Sequence, residues 1–397
     1  MISKSRINND YIGPKAIFDP NYVPPTLLFR KKEEKSLYSI LNDSITDEFP
    51  LNILYQGIEG IGKKVIINKV IKDLITNNAN SLPFQKIIID CKEKNLEELI
   101  FSLLSELNKL PNLNFNLNSF LTSNISQLWN IFKLASKKID QNLFLIFNNI
   151  ENIKPDFFKK MLYLGKEMNI TVISTVNKIL RSSTLDYISE FDIKRKLNYF
   201  TYEELNLILK TRASLTFSHE VDKELIQYIT DLIFEHYVPV PGKGIDMLRE
   251  IYPFLKNQDS IEHFKMLEIF QNQFDSFQIT DEFNMLNYIS EEDLLTIIFL
   301  DNLSNTFSNT SHFYIDLNHL QELYDISCES LDYEKDSQEF KNIIQKALRI
   351  GILSPSKKGL TKNSKFLSED PLVYDCFFMT INPFQLKAMV DAVFGQL

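Results

Sequence analysis

The sequence predicts an α/β protein: a parallel sheet carrying a phosphate-binding loop (P-loop), then a small helical bundle, then a C-terminal unit of winged-helix order. Three observations predict it. Between Leu51 and Thr175, short β-branched runs alternate with longer amphipathic stretches, as in parallel strands joined by crossover helices. A glycine-rich stretch, Gly57-Ile58-Glu59-Gly60-Ile61-Gly62-Lys63-Lys64, sits between the first such run and a helix. After Tyr202 the periodicity turns helical, and near the C-terminus three helical stretches precede Ile352, Leu353 and a lysine-bearing turn.

The strands expected are Asn52–Tyr55, Ile87–Asp90, Leu143–Phe147 and Thr171–Thr175, nearly all apolar, as central strands buried on both faces are. Crossover helices are expected over Lys64–Thr76, Leu96–Leu107, Ser126–Asp140 and Pro155–Lys166, with the Asn-rich stretch Asn108–Asn124 an inserted loop or short helix. Apolar residues at Leu205, Ile208 and Leu209, then Leu225, Ile226 and Ile229, then Ile245, Met247 and Leu248 predict a bundle, and Asn257–Glu282 predicts a further aromatic-rich helix. A helix start is expected at Ser290, with Glu291, Glu292 and Asp293 in its first turn. Helices at Leu294–Ser304, Leu317–Tyr324 and Gln338–Arg349 follow. The domain boundaries expected are residues 1–200, 201–282 and 283–397.

Composition narrows the function classes. With 44% hydrophobic residues the chain builds substantial cores, and no run reaches the length of a membrane span, so a soluble intracellular protein without a membrane partner is expected. Cys91, Cys328 and Cys376 lack metal-ligand spacing and read as reduced thiols. A net charge of -9 argues against coating nucleic acid by bulk electrostatics, so any DNA contact must be local.

In the loop, Gly57, Gly60 and Gly62 permit positive φ and close backbone approach, the amides offer donors, and Lys63 can reach terminal phosphates. The next position usually gives a hydroxyl to Mg²⁺; here Lys64 cannot ligate a cation and puts its own charge there. The strand ending at Phe147 runs into Asn148 and Asn149, where a Walker B strand carries the carboxylates that hold metal and orient water. Asn177, after Thr171–Thr175, stands where such folds aim a polar residue at the terminal phosphate. Catalytic residues and metal ligands are therefore expected to be absent, Mg²⁺ binding and ATP hydrolysis to be lost, and ATP or ADP binding to remain open.

These residues, with several further segments, make the chain similar to the archaeal-type initiators of the origin recognition complex and cell-division-cycle family, which join an AAA+ module to a winged helix. Ile17 to Pro25, with Tyr22, Val23 and Pro24, then Leu28-Phe29-Arg30, resembles the family's adenine-packing segment. Tyr202-Glu203-Glu204-Leu205 through Arg212 to Phe217 is similar to the entry of its helical lid, and Ile245 to Arg249 to the lid helix after the second sensor. Alignment on these puts Ile188 at the arginine-finger position and Gly242 at the second-sensor arginine. The resemblance implies a P-loop AAA+ sheet with a helical lid and a C-terminal winged-helix domain, in a degenerate initiator. It implies double-stranded DNA and other initiator subunits or replication proteins as partners. The location implied is cytoplasmic and nucleoid-associated in a prokaryote, or nuclear in a eukaryote.

For DNA, Lys341 and Lys346 on the candidate recognition helix, with Lys357, Lys358, Lys362 and Lys365 on the candidate wing, are the expected phosphate contacts. Phe377, Phe378, Phe384 and Met389 are expected to pack the last strand and helix. Two rival readings remain: an active ATPase switch of the same family, and a protein-interaction scaffold with neither ligand.

Overall fold

The computed structural model describes residues 11–78, 84–110, 113, 115–120, 123–139, 142–177, 186–256, 266, 269–270, 282–310, 312–358 and 370–395. These form two compact units, residues 21–199 and a second made of the N-terminal segment to Pro20 with residues 200–397.

The first unit is a five-stranded parallel sheet in the order β2-β3-β4-β1-β5. Its strands are β1 (Asn52–Gln56), β2 (Phe84–Asp90), β3 (Asn142–Asn148), β4 (Ile170–Val176) and β5 (Ile193–Lys196). β1, β3 and β4 are buried nearly throughout, as apolar runs predict. β2 is an edge strand instead of a central one, and its alternating burial leaves Ile88 39% exposed. β5, the other edge, was not expected. Its Lys194-Arg195-Lys196 is exposed, a charged edge that discourages further strand pairing.

Crossover helices α3 (Lys63–Asn78), α4 (Leu96–Leu107), α5 (Ile125–Ser136) and α6 (Pro155–Glu167) lie close to their expected spans. Asn95 and Asn124 start α4 and α5 as capping boxes with Glu98 and Gln127. The core joins Leu99, Leu103 and Phe132 of the helices to Leu145, Phe147 and Val172 of the sheet. Within the stretch read as a loop or short helix, Leu117–Phe120 is a single 3₁₀ turn, and the Asn108 side chain holds both backbone groups of Phe115.

The second unit holds a helical bundle, α7 (Tyr202–Thr216), α8 (Lys223–His236) and α9 (Pro241–Leu255). Residues 11–20, expected in the first domain, pack here. Ile17 joins the bundle core, the Ile12 and Gly13 amides donate to the Leu215 carbonyl, and Arg212 and Arg249 donate to the carbonyls of Ala16 and Ile17. Arg212 and Arg249, expected in the lid, thus hold an N-terminal segment. Of the helix expected over Asn257–Glu282, nearly all lies outside the described residues.

The remainder runs α10 (Glu282–Ser290), α11 (Leu294–Asn309), β6 (Tyr314–Asp316), α12 (Leu317–Ser330), α13 (Ser337–Ile350), β7 (Leu353–Pro355), β8 (Cys376–Met379) and α14 (Pro383–Phe394). β8 pairs antiparallel with both β6 and β7. The start placed at Ser290 is corrected: Ser290 ends α10, and Asp293 caps α11 by accepting from the Thr296 amide at 2.8 Å. Phe377 and Phe378 are buried, but Phe384 is 51% exposed in the first turn of α14. Cys91 and Cys328 are buried free thiols, and Cys376 is half-buried. Among the described residues no helix is long and apolar enough to cross a membrane.

Candidate phosphate-binding site

All five strands being parallel, the loop after β1 and the last residues of β2, β3 and β4 meet at one edge, outside the carboxyl ends, where open α/β sheets bind ligands. Register fixes the neighbours: Asp90 is level with Asn148, and Gln56 with Val176.

Gly57, Gly60 and Gly62 have φ of 153°, 81° and 105°, and a side chain at Gly57 would come within 3.2 Å of Ile61. The first intrahelical bond after the loop runs from the Ile66 amide to the Gly62 carbonyl, leaving the earlier amides of the first turn for a ligand. Lys63 is 5% exposed, and its Nζ donates to the Gly57 carbonyl at 2.5 Å and the Ile58 carbonyl at 2.8 Å. Burial pulls its pKa down to about 8, against the pull of Glu151 and Glu59. Loop geometry and lysine fit a nucleotide phosphate.

They do not fit Mg²⁺. Lys64 Nζ lies 2.8 Å from Asp90 Oδ2 at the end of β2. Asn149 Nδ2 donates to Asp90 Oδ1 at 2.6 Å, and Asn177 Nδ2 donates to Asn149 Oδ1 at 2.8 Å. The amide orientation is dictated by chemistry, because an ionised carboxylate only accepts. Burial raises the Asp90 pKa, but the Lys64, Lys92 and Asn149 donors outweigh it and hold the carboxyl below its ordinary value. Asn149 has φ 61° and ψ 48°, a left-handed conformation that asparagine tolerates better than most residues. Asn148 Oδ1 accepts from Thr175 Oγ1 at 3.1 Å, and the same hydroxyl accepts from the Asn149 amide at 3.3 Å. Among the described residues no group of three or more His, Cys, Asp or Glu side chains is placed to hold a metal.

Of the residues expected here, the fold brings Lys63, Lys64, Asn148, Asn149 and Asn177 to one edge. Asn177, expected to face a phosphate, donates to Asn149 Oδ1. Tyr22, Val23 and Pro24 are half-buried on the segment before α2 (Lys31–Thr46), beside Arg30, which donates to the Asn198 carbonyl at 2.7 Å. Ile188, at the finger position, is a core residue, and Gly242 lies in the first turn of α9. Asp90 and Glu151 were missed. Asp90 ends a strand with no motif, and Glu151 sits in a 3₁₀ turn, Ile150–Asn152, where its Oε2 accepts from the Asn177 amide at 3.4 Å.

The expected DNA contacts are largely engaged within the chain. Lys341 lies 3.3 Å from Asp370, and Lys346 lies 2.6 Å from Glu292 and 3.4 Å from Asp293. Lys357 pairs with Glu235 of α8, and Lys358 donates to Gln227 at 3.2 Å. Each of these four therefore meets a partner within the chain that no local pattern reveals. Lys362 and Lys365 lie outside the described residues.

No protein-family model matches the chain. It is 26% identical over 261 residues to an ORC1-type DNA replication protein 1 of Sulfurisphaera tokodaii, a stretch covering 62% of each chain. The match thus spans about three-fifths of that relative's length. The fold is similar to that of Cdc6p from Pyrobaculum aerophilum, at a TM-score of 0.69 and 16% identity over 96% of this chain and 98% of the other. It is also similar to the ORC1 protein of Aeropyrum pernix, solved in complex with DNA, at 0.55 and 14% over 97% and 98%. At such identities the two structures speak to the fold.

Proposed function

We propose, for a chain that belongs with the archaeal ORC1-type and Cdc6 initiators by sequence and fold, that it is a DNA-binding initiator protein whose AAA+ site takes ATP or ADP without hydrolysing it. The observation that carries this reading is the run from Lys64 through Asp90 and Asn149 to Asn177. Hydrolysis in P-loop proteins needs a cation at the loop and a group that orients water. Here the first place holds an ammonium, and the second holds Asn148, bonded to Thr175, and Asn149, bonded to Asp90 and Asn177, amides that cannot accept a proton near neutral pH. The glycine conformations and buried Lys63 support retained phosphate binding.

Binding to double-stranded DNA is supported by the C-terminal fold and by the DNA complex of the Aeropyrum relative, and assembly with other initiator subunits is the further partner this reading proposes. A second reading, a protein-assembly role without DNA, is favoured by the pairing of Lys341, Lys346 and Lys357 with carboxylates. The test of the enzymatic part is phosphate release from ATP with and without Mg²⁺, alongside the Lys63→Ala variant. The expectation is no release above that variant's. Magnesium-dependent turnover that Lys63→Ala abolishes would establish the active-switch rival instead.

A further inference from the structure

We infer that Lys64 is a built-in counter-cation of the phosphate site and Asp90 its competitor, so that the site takes nucleotide free of divalent metal and a polyphosphate draws Lys64 away from Asp90. This rests on the nucleotide-binding reading above and deepens it by naming the charge state of the ligand.

The geometry carries it. Lys64 is in the first turn of α3, next to Lys63 and the loop amides, so its ammonium is within a side chain's swing of any phosphate on that loop. In the structure it is held at 2.8 Å by Asp90, in a pair whose two side chains are each about two-fifths exposed. Such half-exposed pairs are weak, while a lysine bound to phosphate forms charge-assisted bonds to a group carrying more charge than one carboxylate. Displacement by a polyphosphate is therefore downhill. Asp90 does not follow Lys64, because Asn149 Nδ2 and the Lys92 amide hold its Oδ1. A metal-bound nucleotide, already partly neutralised, would put Mg²⁺ against the Lys64 ammonium.

The experiment is titration of a fluorescent ADP or ATP analogue in EDTA and in Mg²⁺, with the whole chain and with Lys64→Ser, Lys64→Met and Asp90→Asn, melting curves confirming that each is folded. The wild type is expected to bind in EDTA at least as tightly as in Mg²⁺. Loss of the Lys64 charge should weaken binding in EDTA by about tenfold or more, the effect of one charge-assisted contact. Mg²⁺ should recover part of that loss in Lys64→Ser, whose hydroxyl can ligate it, but not in Lys64→Met. Asp90→Asn should tighten binding by up to about fivefold, as release of a weak pair does. Wild-type binding that is tenfold tighter in Mg²⁺ overturns the inference, and so does an Asp90→Asn variant that weakens as much as Lys64→Ser. Either result leaves the nucleotide reading standing. Absence of binding in both buffers overturns the two together.

Discussion

Lys63 sits 5% exposed among loop carbonyls, and its depressed pKa has two consequences with opposite signs. Between about 8 and its ordinary value of 10.5, the unfolded chain binds more protons here than the folded one, so the stability of the ligand-free protein rises with pH across that window. A bound phosphate favours the ammonium, so nucleotide binding takes up a proton wherever free Lys63 has begun to lose it. Affinity should therefore be flat below pH 8 and fall by up to about tenfold per unit above it, measured by titration from pH 6.5 to 9.5. Lys63→Arg, which stays charged, should flatten the profile. A wild-type profile flat to pH 9.5 would mean either that free Lys63 keeps its proton across the range or that it meets no phosphate, and weakened binding by Lys63→Ala at pH 7 separates the two.

Between elements, the buried Asp231 of α8 joins three parts of the second unit. It is 1% exposed and accepts from Tyr202 Oη at 3.0 Å, Tyr314 Oη at 2.6 Å, Ser356 Oγ at 2.8 Å and the Lys357 amide at 2.8 Å. One carboxylate thus ties the bundle to β6 and to the chain just past β7. Asp231→Ala strands four donors, two of them fully buried, and should cost about 3 kcal/mol in urea unfolding. Asp231→Asn, which still accepts from Lys357 and can donate to the hydroxyls, should cost less than about half of that. Burial raises the Asp231 pKa although four groups donate to it. The native state therefore keeps its proton to a higher pH than the unfolded chain, and stability falls as pH rises through that interval, a slope that Asp231→Asn should remove. An alanine variant as stable as wild type would show that the junction is held by apolar packing alone. The same scale separates what the sequence reveals from what it hides. β1, β3, β4 and their crossover helices are legible because burial on both faces demands apolar runs. β5 is not, since Lys194, Arg195 and Lys196 are chosen for a solvated edge, and the roles of Asp90 and Asp231 exist only through strand register or partners 26 to 126 residues away. The site was half visible: Lys63, Lys64, Asn148, Asn149 and Asn177 stand in a recognisable spacing, but that Asp90 joins them is a property of β2 lying beside β3.

For the whole molecule, charge decides how the proposed DNA contact would be made. A chain of net charge -9 gains nothing from long-range attraction, and four of the six lysines first assigned to DNA are bonded to carboxylates or an amide of the same chain. Lys357 is the clearest case, since its Nζ pairs with Glu235 while its amide bonds Asp231. Releasing it to a phosphate would leave Glu235 without that partner and add its repulsion to the DNA. Contact confined to Lys362 and Lys365, which lie outside the described residues, would neutralise two phosphates and correspond to a slope of about -2 in the logarithm of affinity against the logarithm of salt. Fluorescence anisotropy with a duplex from 25 to 200 mM salt should return that shallow slope, Lys357→Ala should bind within about twofold of wild type, and Lys362→Glu with Lys365→Glu should abolish binding. A slope steeper than about -5 would require the paired lysines to open onto DNA, and a tenfold loss in Lys357→Ala would identify which one does. Failure to bind at the lowest salt would leave assembly with other proteins as the role of the C-terminal unit, since its described lysines would then serve only the fold that holds them.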